Sequence, residues 1–105
     1  MTREDRDFFD VQKGIEYEKR GEIDKAISIY EKLVRRKFEG SHAYDRLCVI
    51  YRKQKAYELE ERVLLKAIAV FSKIVDEGFR SDGPPKLARY KERLEKLHKK
   101  MDESK

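Results

Sequence analysis

The chain has 105 residues, of which 45% are charged and 39% hydrophobic, and it carries a net charge of +5. This length limits it to a single domain, predicted over residues 1–105, whose modest core must come from stripes on helices rather than from a buried sheet. The charged N-terminus has no secretory signal and no window approaches the roughly 20 apolar residues that span a bilayer, so we expect a cytoplasmic protein that does not contact a membrane.

The first predicted helix pair covers residues 2–40. Thr2 followed by Asp5 is a capping-box pattern, with Asp in place of Glu, and apolar residues then recur at helical spacing. Gly21 is expected to end this first helix, because glycine best tolerates a left-handed cap.

The second helix is predicted from about Ile23 to Lys37 and ends in the basic run 35–37. Positive charge is favourable at this end of the helix dipole, and an anion contacting the run is the alternative. Gly40 and Ser41 then form a break, with Ser41 capping the next helix.

The second predicted pair covers residues 41–78. Its first helix ends near Gln54, and its second runs from about Tyr57 to Glu77. This last helix is longer than its counterpart by one or two turns and is apolar around more of its circumference. We therefore expect it to contact neighbours on two sides.

A strong break over residues 78–85 precedes a final helix predicted over 84–102. Its apolar residues form one narrow stripe with charged side chains elsewhere, typical of a capping helix, with a coiled-coil or homodimer seam as the alternative. The stripe consists of Leu87, Tyr90, Leu94, Leu97 and Met101.

A pattern in the first pair returns 34 residues later. Small residues at Gly14 and Ala26 would allow two helices to cross closely, and a fixed period of this size is typical of helical repeats. The first copy contains Gly14, Tyr17, Gly21, Ala26, Tyr30 and Leu33. The second contains Tyr44, Leu47, Cys48, Tyr51, Tyr57, Leu64 and Ala67.

These residues resemble the tetratricopeptide repeat (TPR) family over about residues 7 to 70. The resemblance implies an all-α fold of about five helices, arranged as a right-handed solenoid of antiparallel helix pairs. In the second copy Lys55 replaces the turn glycine and Glu60 replaces the small alanine of the second helix. A carboxylate at such a crossing must find a cation or push the helices apart.

The resemblance also implies a function, namely a scaffold or interaction module that binds a protein or peptide segment in a concave groove lined by the first helix of each pair. A partly apolar ligand such as an amphipathic helix is expected. Carried over by position, the groove residues are Phe8, Val11, Ile15, Glu18, Lys19, His42, Asp45, Val49, Arg52 and Lys53. For Phe8, Val11 and Ile15 the alternative is burial under a terminal segment or a second protomer.

No catalytic or metal-binding pattern accompanies the repeat. His42 and His98 belong to no ligand spacing, so we predict no metal, no cofactor and no enzymatic activity. Cys48 falls where the repeat requires a small buried residue, which predicts a packed thiol rather than a nucleophile.

Two alternative functions remain open. The first is a nucleic-acid-associated accessory protein that uses the basic C-terminal helix, although no stacking platform accompanies the charge. Its cations would be Lys86, Arg89, Lys91, Arg93, Lys96, Lys99 and Lys100. The second is a homo-oligomeric assembly module.

Overall fold

A computed structural model describes residues 2–103, and five α-helices account for most of them. No strand occurs within this span, so the predicted all-α class with about five helices is confirmed. The helices are α1 (Arg3–Lys19), α2 (Ile23–Arg35), α3 (His42–Lys53), α4 (Tyr57–Glu77) and α5 (Gly83–Glu103). Met1, Ser104 and Lys105, at the ends of the predicted domain, lie outside the described residues. Over residues 2–103 no helix has the length and apolar character needed to cross a bilayer.

The predicted capping box begins α1. The backbone N–H of Asp5 donates to Oγ1 of Thr2, and the backbone N–H of Thr2 donates to the carboxylate of Asp5, each at 3.2 Å. Both bonds satisfy N–H groups that the first turn of a helix otherwise leaves without partners.

The turns that follow α1 and α3 have the same backbone conformation, residue for residue at an offset of 34. The helix before each turn ends at a residue near φ −83° (φ −84° at Arg20, φ −82° at Gln54), and the next residue is left-handed in both. The N–H of Glu22 then donates to the carbonyl of Tyr17 at 2.8 Å, and that of Ala56 donates to the carbonyl of Tyr51 at 2.9 Å. The chain therefore reverses in the same way twice.

Two helix ends differ from the sequence-based expectation. α2 stops at Arg35 rather than Lys37, because Lys37 adopts φ 57° and its N–H donates to the carbonyl of Val34 instead of continuing the helix. α5 begins slightly earlier than predicted, at Gly83, whose two following prolines occupy the first turn, where no N–H is required. Ser41 precedes α3 as expected, but its side chain makes no capping hydrogen bond.

Helices α1 and α2 approach each other closely at Gly14. A Cβ atom on Gly14 would lie 2.2 Å from Cε1 of Tyr30, so only glycine fits against this ring. Tyr30 itself is fully buried, as are Ala26 and Leu33 on the same helix. The predicted close approach of α1 and α2 is therefore present.

α4 has 21 residues against 13 in α2, which is about two turns more. It packs against α3 on one side and α5 on the other, as its broad apolar surface predicts. Phe71 on α4 meets Tyr90 on α5 with ring centroids 5.5 Å apart, and Tyr90 and Leu97 are buried. The apolar stripe of α5 is thus covered by α4 within the chain.

Candidate functional site

A cavity of about 560 Å³ lies between the N-terminal half of α1, the loop before α3 and the first residue of α3. It brings together three of the ten predicted groove residues, Phe8, Val11 and His42. Phe8 is 61% exposed although it is a large aromatic residue, and Val11 is partly buried. The cavity therefore presents an apolar surface to solvent at one end of the predicted groove.

The loop wall of this cavity is held in place by specific contacts. The hydroxyl of Tyr44 donates to the carbonyl of Phe38 at 2.6 Å, and the two rings stack with centroids 6.3 Å apart. A Cβ on Gly40 would lie 2.5 Å from the ring of Phe38, so glycine is needed there. Arg80 donates to the carbonyl of Glu39 at 2.7 Å and ties the loop to the segment before α5. The cavity wall is therefore preformed.

The charges around the cavity nearly balance. Asp7 pairs with Arg36 at 2.8 Å, and Arg80 pairs with Asp82 at 2.8 Å, so these side chains are largely neutralised. The carboxylates of Glu4 and Glu39 and the guanidinium of Arg3 also line the cavity. A ligand here needs no strong net charge, which fits a partly apolar segment.

Glu18, also predicted to line the groove, belongs to a network within the protein. Arg46 donates to its carboxylate at 2.7 Å and the hydroxyl of Tyr30 donates to it at 2.7 Å. Burial alone would raise the pKa of Glu18, but these two hydrogen bonds outweigh it and lower the pKa below 4.5. Glu18 therefore joins α1, α2 and α3 and is not free to bind a ligand.

His42 lies at the edge of both the cavity and this network. Its Nε2 is 3.3 Å from the hydroxyl of Tyr30. Because the single hydroxyl proton is donated to Glu18, Nε2 of His42 is assigned as the donor. Burial lowers the pKa of His42 despite the nearby Glu18 carboxylate, so the ring is held neutral.

The remaining predicted groove residues are not gathered into the cavity. Ile15 and Val49 are partly buried, and Lys19 and Lys53 are exposed. Asp45 pairs with Arg89 of α5 at 3.0 Å.

Arg52 is directed to Glu60 rather than to a groove. It donates two hydrogen bonds to this fully buried carboxylate, at 2.8 and 2.9 Å, and Arg93 approaches it at 3.7 Å. The Glu60 carboxylate, which replaces the small residue expected where α3 and α4 cross, is therefore paired with Arg52. The bidentate geometry is among the stronger ion-pair arrangements.

No three His, Cys, Asp or Glu side chains come together as a metal site between residues 2 and 103. Cys48 is fully buried, and burial raises its pKa to about 12, so the thiol stays protonated and unreactive.

Four of the seven predicted cations of the C-terminal helix form ion pairs within the protein. Lys86 pairs with Asp82 at 2.9 Å, Lys96 with Glu92 at 3.1 Å and Arg89 with Asp45. The small depression of about 290 Å³ formed by Arg52, Arg89, Arg93, Lys96 and Glu92 thus contains only paired cations. The use of this helix for nucleic acid stays a prediction.

No protein-family model matches the chain, and neither the curated proteins nor the solved structures give a match.

Sequence reasoning missed Phe38, Arg80 and Arg3 as cavity residues. Phe38 lies next to the predicted break at Gly40 and Ser41, and a large apolar residue at such a break was the available signal. Arg3 reaches the cavity from the start of α1 and Arg80 from the segment between α4 and α5, and no local sequence pattern indicates such a contact.

Proposed function

We propose that the protein is a protein-interaction module that binds a peptide or helical segment against α1 and the start of α3. The supporting observation is the cavity of about 560 Å³ with the exposed Phe8 and the partly buried Val11 on its wall. An aromatic anchor beside a preformed apolar depression is the usual centre of a protein–protein interface.

The proposal includes the TPR-like arrangement, a right-handed solenoid of two helix pairs closed by α5. Its support is the repeat of one turn geometry at an offset of 34 and the repeated placement of a buried small residue, Gly14 and then Cys48, on the first helix of each pair. In this arrangement the first helices, α1 and α3, line the concave side, where the cavity lies.

The ligand class follows from the lining. Its apolar residues offer contact area, and its two cations nearly balance its three carboxylates, so the ligand is a segment with apolar side chains and little net charge. The proposed role is binding, with no reaction chemistry and no cofactor.

Selection from a random-peptide library, followed by titration calorimetry of the enriched peptides, tests the site. Phe8→Ser should weaken binding at least tenfold, because a buried aromatic anchor contributes about 2 kcal/mol or more. Phe79→Ser is the matched control: Phe79 is 93% exposed and does not line the cavity, so affinity should stay unchanged. If the Phe8→Ser variant bound the peptides as tightly as the wild type, the proposed binding site beside Phe8 would be contradicted.

Val11→Glu separates binding from folding. It should abolish capture of the same peptides while the melting temperature stays close to that of the wild type. A large fall in melting temperature would instead assign Val11 to the core.

Self-association is a second candidate, favoured by the adjacent Phe8 and Phe9, which are 61% and 54% exposed on the same helix. Exposed apolar patches of this kind mark association surfaces. Sedimentation velocity at several concentrations would detect a dimer, and the Phe9→Ser variant should dissociate it.

A further inference from the structure

A second concave surface, here called the basic cleft, lies between the C-terminal end of α2 and the middle of α4. Its volume is about 450 Å³, and it is lined by more cations than any other depression described above. The cations are Arg35, Arg36 and Lys37 from the end of α2 and Arg62, Lys66 and Lys73 from α4, with Arg3 at the edge. Among residues 2–103, the only carboxylate that lines it is that of Glu39.

Four of these cations have neither an ion pair nor a side-chain hydrogen bond within residues 2–103. Arg36 pairs with Asp7 and Asp10, and Arg62 pairs with Glu31. Arg3 donates to the backbone carbonyls of Arg36 and Lys37. The four cations whose side chains make neither kind of contact there are Arg35, Lys37, Lys66 and Lys73. Like charges held around one concavity repel one another, and an anionic ligand removes that repulsion.

The helix dipole accounts for only part of this cluster. Arg35 and Lys37 lie at the C-terminal end of α2, where positive charge is favourable. Lys66 lies in the interior of α4, far from either end, and has no acidic residue three or four positions away. Neither the helix dipole nor an ion pair within α4 therefore stabilises the positive charge of Lys66.

The floor of the basic cleft is apolar. Val34, Ala69 and Val70 line it between the cations. Leu65, which is 51% exposed, extends this apolar surface along the same side of α4, since it precedes Ala69 by four residues. No aromatic side chain of the described part of the chain lines the cleft, so these residues offer no platform on which nucleic-acid bases could stack.

We infer that the basic cleft is a binding site for an acidic amphipathic peptide segment, with carboxylates on the cationic rim and apolar side chains on the floor. Arg62 and Lys73 are separated by about 16 Å along α4, which equals about three turns of a bound helix. The basic cleft adjoins the cavity beside Phe8, because Arg3 and Glu39 line both, but the inference does not depend on the function proposed for that cavity.

Lys37 permits a clean test. Because its backbone is left-handed, Lys37→Gly removes a cation from the cleft without loss of stability. Lys55→Gly is a matched control: Lys55 has the same backbone conformation, at φ 58°, and the substitution makes the same change of charge, but Lys55 does not line the cleft.

The measurement is fluorescence anisotropy of a labelled synthetic peptide with Leu on one helical face and Glu on the other. Polyglutamate of the same length and oligothymidylate serve as competing ligand classes. Lys37→Gly and Lys66→Ala should each weaken binding of the amphipathic peptide about fivefold, in line with the loss of one well-placed charge contact. Lys55→Gly and Phe8→Ser should change it less than about twofold.

Three results would overturn the inference. The first is no saturable binding of the amphipathic peptide by the wild type. The second is an equal loss of peptide affinity in Lys37→Gly and Lys55→Gly, which would show that the effect comes from the net charge of the protein and not from the cleft. The third is tighter binding of polyglutamate or oligothymidylate than of the amphipathic peptide, which would make the apolar floor irrelevant.

Discussion

Lys55 occupies, in the turn between α3 and α4, the left-handed backbone conformation that Gly21 occupies in the turn between α1 and α2. The φ angles are 58° at Lys55 and 76° at Gly21, and the two residues are 34 positions apart. A side chain with a Cβ is strained in this region, whereas glycine is not. The second turn has therefore kept its shape at an energetic cost that the first turn avoids.

Lys55→Gly should accordingly raise the free energy of unfolding by about 1 kcal/mol, the usual cost of a left-handed residue with a Cβ. Urea denaturation measures this directly. The same exchange at Lys13, an exposed residue in the interior of α1, should lower stability by about 1 kcal/mol, because glycine is a poor helix former. A loss at both positions would contradict the strain assigned to Lys55.

Gly14→Ala should destabilise the protein by about 1–3 kcal/mol, because the new methyl group would overlap the ring of Tyr30 at 2.2 Å. The direction of this stability change is informative, since a glycine-to-alanine exchange in a helix interior normally stabilises the protein. Thermal denaturation of Gly14→Ala, Tyr30→Leu and the double variant forms the test. The double variant should be more stable than the sum of the single losses predicts, and strict additivity would show that the two sites do not touch.

Arg52→Ala should cost about 3 kcal/mol, because it leaves the fully buried Glu60 without its bidentate partner. Replacing both residues with Leu should recover most of that loss, since no buried carboxylate then remains. Lys96→Ala is the control, since Lys96 pairs with Glu92 on the surface and its loss should cost below about 0.5 kcal/mol. Comparable costs for Arg52→Ala and Lys96→Ala in urea unfolding would argue against the buried pair.

The helices of this fold were predictable because their signals are local. The capping box at Thr2, the left-handed Gly21 and the extra length of α4 all depend on residues within one or two turns of one another. The small-residue crossing at Gly14 was also predictable, since a 34-residue period places small residues where helices meet.

The candidate site was less predictable, because it depends on contacts between distant segments. Glu18 was predicted to face a groove, but Arg46 and Tyr30 bind it within the protein. The direction of a polar side chain on a partly buried helix face depends on which partner lies opposite. The basic cleft shows the same limit, because Lys66 and Lys37 are brought together only by the packing of α4 on α2.

The last prediction concerns acid sensitivity through His42. Burial lowers its pKa in the folded protein below the value of 6.5 that it has when unfolded. The unfolded chain therefore binds the proton more readily, so the contribution of His42 is fully present above about pH 6.5 and is lost as the pH falls through the lower folded pKa.

Glu18 acts in the same direction at lower pH. Its pKa in the folded state is also lowered, from 4.5, so its contribution is present above that value and is lost as the pH falls through the folded pKa. Two successive losses of stability are thus expected on acidification, the first from His42 and the second from Glu18.

Urea unfolding at a series of pH values from about 7 to about 3 resolves the two steps. In His42→Gln the fall in the free energy of unfolding between about pH 7 and about pH 5 should shrink, while the fall below about pH 4.5 should persist. In Glu18→Gln the lower step should shrink instead, because the carboxylate that Arg46 and Tyr30 bind is gone. An unchanged upper step in His42→Gln would show that another group produces it and would contradict the neutral, buried ring.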